Sequence, residues 1–341
     1  MGSLWDDIII DSFSPLSSPL EVDVAIIGAG ITGLTTACML ANTGLRVAVV
    51  EKDRIGFGAT GITTAFLTQY IDTLLFDFVR MFGEEKTKAI ISSHAQAIDS
   101  IEKLIQDNAI RCDFERCPLY IYANEKKEIS ALQKEKEIAN IIGIDMQMNI
   151  DSELGFSEPG YLVLPHQAKF HPLKYVKGLV NILRKKGVQI FEHTEVTNIG
   201  EGDRITIATP HAPITATHAV VATYVPLQKK LFFKKAFYTT YVFELSCPHG
   251  AIPEGIYEDT LDPYHYLRVD HIGGKDRVLI GGEDHRSDIH INDDKCFAAL
   301  EHYTEELLRD IPFAIKRKWS GPIIESIDGL AWIGPHESDR I

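Results

Sequence analysis

Apolar residues along the chain change period several times, and each change marks an element. Val22 to Ile27 is an unbroken β-branched run, the pattern of a parallel strand buried on both faces. A glycine-rich turn follows, then a helix from Ile31 to about Thr43 ending at Gly44, then a second strand from Arg46 to Val50. Between Gly83 and Ile110 the apolar residues Ile91, Ala95, Ile98, Ile101 and Ile105 recur at helical spacing, which predicts an amphipathic helix with a charged outer face. Phe114 to Ala123 reads as a strand. Glu125 to Ala139 reads as an exposed helix whose Lys and Glu run is a solvated face.

Leu162 to Leu164 predicts a short strand, Pro165 to Pro172 a turn, and Leu173 to Arg184 a helix with Val176, Leu179, Val180 and Leu183 inward and Gly187 as its cap. Short strands follow at Val188 to Phe191, Thr197 to Ile199, Arg204 to Ala208 and Ile214 to Thr217, with a buried strand from His218 to Thr223. Beyond Pro226 the strands lengthen and alternate, at Phe237 to Ser246, Tyr264 to Val269 and Arg277 to Gly282, the signature of an antiparallel second lobe. His290 to Asp310 returns to helix, and Trp319 to Gly334 returns to the character of the first lobe. Residues 1 to 21, with Pro15 and Pro19, predict an extended arm over the body, and Met-Gly-Ser at its start has the form of a cloning scar.

The chemistry concentrates in the first unit. Gly28, Gly30 and Gly33 fit GxGxxG: one glycine for the turn, one letting a pyrophosphate approach the backbone, one for close helix packing. The helix N-terminus is aimed at that turn. Glu51 lies 18 residues beyond Gly33, near the roughly 20 expected for a ribose-binding acid. A carboxylate there repels a 2′-phosphate, which argues against NADP. Strand, glycine turn, helix and acid together predict adenine dinucleotide binding. Next comes KDRIGFGATGITTAFLTQY, where Thr60, Thr63, Thr64 and Thr68 supply hydroxyls among open glycines, suiting a loop around phosphates or a ribityl chain; the alternative is a surface loop with threonine caps.

Composition narrows the classes. With 341 residues, 45% of them hydrophobic, the chain exceeds one ordinary domain and has ample material for a core. A formal charge of −14 disfavours nucleic acid or an anionic membrane as a general partner. No apolar run reaches the roughly 18 residues of a membrane span and no basic leader precedes an apolar core, so the expectation is a cytoplasmic protein. Five cysteines without paired spacing point to reduced thiols.

Four stretches, GATGITTAFLT, CDFERCPLYIYA, LPHQAKFHPLKYVKGL and LIGGEDH, with WSGPIIESIDGLAWIG near the end, resemble the glycine oxidase and D-amino-acid oxidase-like FAD-dependent oxidoreductases. The resemblance is closest to a bacterial branch that often carries a C-terminal Rieske iron-sulfur domain. It implies an α/β fold: a Rossmann-like FAD-binding βαβ domain with an inserted antiparallel-sheet substrate domain of α+β type. The implied divisions are an arm at 1–21, the FAD domain at 22–82 and 151–226, substrate regions at 83–150 and 227–312, and a return to the FAD domain at 313–341. Gly28, Ala29, Gly30, Ile31, Thr32 and Gly33 would hold the FAD pyrophosphate, Glu51 the adenosine ribose, and Lys52 would flank the adenine. Ala59, Thr60, Gly61, Thr63, Thr64, Ala65 and Phe66 would run toward the flavin ring, Val196 would touch the adenine side, and Ala222 and Thr223 would close over the dinucleotide. Two departures stand out. Amino-acid oxidases carry a carboxylate-gripping arginine where this chain offers Ile323, which argues against a small amino acid as substrate. Family members also continue past the final Ile-Gly-Pro, so the chain is expected to be a fragment or truncated form lacking one wall of the flavin site.

The resemblance implies hydride transfer from the carbon of an amine C–N bond to flavin N5, with an imine that hydrolyses in water. Tyr241, Tyr264, Arg268 and His285 are the pocket candidates, from the strands and the GGEDH turn of the second lobe. The implied partners are a small amine and an electron acceptor, for which oxygen, a quinone and a Rieske-type domain outside this chain stand as alternatives. Cys247-Pro-His249-Gly250 resembles half a Rieske ligand set without a second half, so no metal is assigned. The rival readings are an FAD-binding scaffold or assembly factor without turnover, and an NAD-dependent dehydrogenase, which would not need the threonine loop.

Overall fold

The computed structural model describes residues 2–150, 154–156, 158–225, 235–289, 291–335 and 340–341. The first elements are β1 (Leu20–Ile27), α1 (Ile31–Leu40), β2 (Val47–Val50), β3 (Phe66–Leu67), α2 (Leu75–Phe82), α3 (Glu84–Asp107) and β4 (Glu115–Tyr122). They are followed by α4 (Ile129–Ile142), β5 (Gln147–Asn149), β6 (Tyr161–Lys169), α5 (Pro172–Lys185), β7 (Gln189–Phe191), β8 (Asn198–Gly200), β9 (Ile205–Ala208) and β10 (Ile214–Val221). The last are β11 (Lys235–Pro248), β12 (Gly255–Asp259), β13 (Tyr266–Ile272), β14 (Lys275–Arg286), α6 (Asp293–Leu307) and β15 (Ala314–Ser326).

Two sheets organise these elements. The first has six strands in the order β7-β2-β1-β10-β9-β8, with β1 parallel to both β2 and β10. The Val, Ile and Ala of β1 and β2 are buried on both faces, as parallel strands between layers must be. Leu34, Ala37 and Cys38 of α1 pack with Tyr175, Val176 and Leu179 of α5 against one face, while Ile205, Ile207 and Ile214 close the other. The second sheet has nine strands, running β15-β11-β14-β13-β12-β4-β6-β3 with β5 beside β6. One of its faces packs on α6 through Phe243, Leu267, Ile280 and Leu300; the opposite face packs on α2, α3 and α4 and on the first lobe. The fold is therefore α/β with a largely antiparallel second sheet, as the alternation beyond residue 226 led us to expect.

Several local expectations are corrected. The turn expected from Pro165 to Pro172 is the continuation of β6, because the ladder to β4 shifts register between Cys117 and Leu119 and His166 takes φ +65, a bulge that tolerates the proline. Ile214 to Thr217 and His218 to Thr223 form one strand, β10, paired along its length with β1. Trp319 does not return to the first sheet: β15 pairs with β11 from Ser326 to Ala314, and it is Arg340 that reaches the first sheet, accepting a bond from the Ala219 amide. The α4 face is not wholly solvated, since Glu135 is fully buried and accepts bonds from the Tyr70 hydroxyl and the Leu75 and Phe76 amides, capping α2. The N-terminal arm does more than cover the body, because Trp5 is fully buried in the core shared by both sheets. His290 and Pro226, where elements were expected to begin, lie outside the described residues.

Candidate active site

The glycine turn is built by steric necessity. At Gly28, φ is +107 and a Cβ would lie 2.4 Å from the Ala222 carbonyl; at Gly33 a Cβ would lie 1.9 Å from the Gly28 carbonyl. The helix can therefore sit on β1 only with glycine at both places. Glu51 stands just past β2 and points back into this turn: its Oε2 accepts from the Ala29 amide at 2.8 Å and its Oε1 from the Asp53 amide at 3.0 Å. No side chain caps α1 at Gly30, and the Ile31 amide donates to Thr60 Oγ1 at 3.2 Å. Turn, acid and threonine loop, which are separated in sequence, meet at the N-terminus of one helix.

The threonine loop is held from behind. Five consecutive carbonyls, Gly61 through Ala65, accept bonds from elsewhere: Ser3 Oγ to Gly61 at 2.5 Å, Trp319 Nε1 to Ile62 at 2.9 Å, Trp5 Nε1 to Thr63 at 2.7 Å, and Arg268 Nη1 to Thr64 and Ala65 at 3.0 and 3.3 Å. Ala65 is left at φ +62, a conformation an alanine keeps only where its surroundings impose it. The glycine turn and the loop from Ala59 to Phe66 thus form one track, joined where the Ile31 amide bonds Thr60 and the Gly56 amide bonds the Ala29 carbonyl. Ala222 joins it, its amide bonded to the Ile27 carbonyl at 2.8 Å, with Thr223 next in the chain. Lys52 is exposed and pairs with Asp53 at 3.6 Å. The Val196 side chain is buried with Ile205, Ile207 and Ile214 against the first sheet.

This track fits a dinucleotide on its own geometry. Bare glycines meet an uncapped helix N-terminus, which favours a diphosphate, and a carboxylate at the tip of the neighbouring strand favours ribose hydroxyls.

The second sheet sorts the pocket candidates by face. Tyr266 meets Phe66 edge-on at 5.8 Å, so the face bearing Tyr264, Tyr266 and Arg268 looks toward the loop. Tyr241 and His285 lie on the other face and are corrected as pocket residues. The Tyr241 hydroxyl donates to Asp293 at 2.7 Å, its ring stacks on His285, and His285 Nδ1 lies 3.8 Å from Cys296 Sγ on α6. Their sequence position did not reveal this, since period-2 alternation fixes which residues share a face but not which face is inward. Arg268 does face the loop, yet it pairs with a buried acid rather than a surface one. Its Nε donates to Asp270 at 3.1 Å, Nη1 also donates to the Phe170 carbonyl at 2.8 Å, and the guanidinium lies over Trp5. It positions the loop and has no free fork for a substrate carboxylate.

Three acids that were not singled out lie near these strands: Glu258 on β12, Asp284 on β14, and Asp72 on the loop between β3 and α2, which acts electrostatically on both. Burial, then the charges of Asp72 and Asp259, raise Glu258 to about 8. Burial raises Asp284 to about 6 against a hydrogen bond from Thr240. Tyr264 faces Asp72, and Thr240 bonds Tyr266 at 2.8 Å. The GGEDH stretch carried the signal for Asp284, but the neighbouring histidine drew the attention. At the far end of β13 and β14, Asp276 accepts from Gly250 and Ala251 amides and is bonded to His249, which closes a hairpin end, while Cys247 is buried and unbridged.

Fold and site together define a dinucleotide-binding α/β protein with an antiparallel sheet over its cofactor track. The chain belongs to the FAD dependent oxidoreductase family, whose family model matches residues 23–341, and FAD is its cofactor. YhfW of Bacillus subtilis (strain 168), whose name describes a Rieske 2Fe-2S iron-sulfur protein, is 28% identical over 333 residues, 96% of this chain and 64% of that protein. Gamma-glutamylputrescine oxidoreductase of Escherichia coli (strain K12) is 26% identical over 216 residues, 62% of this chain and 50% of that protein. The chain therefore spans between half and two thirds of these relatives. Glycine oxidase from Geobacillus kaustophilus superposes with a TM-score of 0.69 at 18% identity, covering 94% of this chain and 87% of that one, which fixes the fold. No helix among the described residues is long and apolar enough to cross a membrane.

Proposed function

We propose that this protein oxidises the C–N bond of a small amine, with the residues from Gly28 to Gly33, Glu51, and the loop from Ala59 to Phe66 holding FAD. The carrying observation is the meeting of Glu51, the Ala29 amide and Thr60 at the α1 N-terminus, beneath a sheet face that presents Tyr266 to Phe66. The Gly28 to Gly33 amides bind the diphosphate, Glu51 the ribose, and Ala222 and Thr223 close the track. Bound FAD supplies the two-electron acceptor. The chain orients the amine carbon toward the cofactor, and the carboxylates of the sheet face accept the amine proton, so that the substrate loses a hydride and a proton and leaves as an imine for water to hydrolyse. Electrons pass on to an acceptor outside these residues, and the likeness to YhfW supports an iron-sulfur partner.

Releasing the cofactor from purified protein and identifying it, then adding a panel of amines under nitrogen, tests the reading. Loss of the flavin absorbance with any amine supports oxidation. Persistent colour across the panel would favour the scaffold reading instead, and a released nicotinamide would overturn both.

A further inference from the structure

The far end of β13 and β14 gathers two imidazoles on one carboxylate. Cys247-Pro-His249 has no companion ligand near it in the chain, and strand pairing supplies two. Asp276 of β14 stands directly opposite His271 of β13 on one side and Cys247 of β11 on the other, so the three share a face of the sheet. His249 follows in the connection from β11 to β12. The ligand atoms of His249, His271 and Asp276 all lie within 4.8 Å of one another.

His249 Nδ1 lies 3.2 Å from Asp276 Oδ1, and His271 Nε2 lies 3.6 Å from that same oxygen and 3.2 Å from the Ile252 carbonyl. Two donors on a tetrahedral ion with bonds of about 2.0–2.1 Å stand about 3.3 Å apart. The separations found bracket that spacing, and the one between His271 and Asp276 is too long for a hydrogen bond. Asp276 is fully buried, and the Gly250 and Ala251 amides donate to its two oxygens. Those amides close the turn and fix the carboxylate, so the two imidazoles exceed what the turn needs. Behind His271, its Nδ1 lies 4.0 Å from Glu254 Oε2, and Glu254 is anchored by Lys169 Nζ at 2.5 Å and the His271 amide at 3.2 Å. A carboxylate behind the far nitrogen is what orients a metal-bound histidine. His249 is exposed and leaves an entry path.

We propose that His249, His271 and Asp276 bind a divalent transition-metal ion of the zinc type, with the Ile252 carbonyl oxygen as a fourth ligand. The ion ties the connection between β11 and β12 to the hairpin of β13 and β14. Two imidazoles with one carboxylate suit such an ion, whereas calcium and magnesium take oxygen ligands. The length of β13 separates this site from the cofactor track, since Tyr266 at the strand's start meets Phe66 and His271 stands near its end. The inference goes beyond amine oxidation and does not depend on it.

Calorimetric titration of the FAD-loaded protein, first treated with EDTA and dialysed, with zinc chloride tests the proposal. One ion per chain is expected to bind with a Kd in the micromolar range or tighter, and calcium chloride is expected to show no such site. His249→Ala and His271→Gln should each weaken zinc at least about tenfold, whereas His302→Ala, on the exposed face of α6, should leave it unmoved. Retained flavin absorbance verifies folding of each variant, and either ligand variant suffices if the other fails. Absence of a one-per-chain zinc site, calcium binding as tightly as zinc, or zinc affinity unmoved in a folded ligand variant would overturn the proposal, the last outcome leaving scattered surface histidines as the donors.

Discussion

Glu51 shows how much one side chain carries. Its two oxygens already fix the Ala29 and Asp53 amides, so it shapes the turn before any ribose arrives. Hydrogen bonds to a charged group contribute about 1.5–3 kcal/mol each. Glu51→Ala should therefore weaken FAD binding by roughly 10- to 100-fold, with Glu51→Gln between the two because one acceptor oxygen survives. Quenching of flavin fluorescence on titration measures this, and unchanged affinity in Glu51→Ala would remove the acid from the cofactor site. Arg268 gives a contrasting expectation. A buried guanidinium bonded to one acid and three carbonyls strands those carbonyls when it is lost, while Asp270 keeps Lys169 and Arg277, so Arg268→Ala should cost about 3 kcal/mol in urea denaturation and release flavin. Arg268→Lys should not restore it, since an ammonium cannot reach the same carbonyls as a planar fork.

Among the elements, α2 depends on a side chain from another helix. Glu135 of α4 accepts from the Leu75 and Phe76 amides at the start of α2 and from Tyr70, so a buried carboxylate stands in for the N-cap that Leu74 cannot provide. Glu135→Ala strands those donors and should destabilise the protein by about 3 kcal/mol, whereas Glu135→Gln should cost less; denaturation midpoints compare the two. The same residue explains what the sequence could and could not tell. In ALQKEKEIAN a glutamate among lysines reads as solvent-facing, because its partners lie 60 residues away and no local period points to them. The βαβ unit was legible to within about three residues at its ends, since Gly33 and Glu51 are constrained by the turn residues Gly28 and Ala29, within 22 positions of each. The strands of the second lobe were legible as strands, but their order was not: β12 enters parallel to β4, joining residues 119 and 256, and alternation alone could not assign Tyr241 to the α6 face. The coupling of Asp72 to Glu258 and to Asp284 was illegible for the same reason, as the three come from distant segments.

At the scale of the whole molecule, the two lobes share a reserve of buried charge that gives stability an unusual pH dependence. Burial opposes charging of His265, but its bonds to Asp259 and Glu283 outweigh that and raise it to about 9. Between about 6.5 and 9 the folded protein therefore keeps a proton that the unfolded chain has released, and stability falls as pH rises through that window, by on the order of 3 kcal/mol for a shift of this size. Glu258, raised to about 8 chiefly by burial, acts with the same sign from its unfolded value of 4.5 upward. The lowered Asp270, held near 2 by Arg268 and Lys169 against burial, has the opposite sign, but its window closes below pH 4. Urea denaturation of the protein at pH 5.5, 7 and 9 should thus show a steady loss of stability. Glu258→Gln should shrink the loss below pH 8, where the parts of Asp284 up to about 6 and of His265 from about 6.5 remain, and leave the loss above 8, which belongs to His265. Stability that rose with pH across this range would mean that Glu258 and His265 do not hold their protons in the folded state.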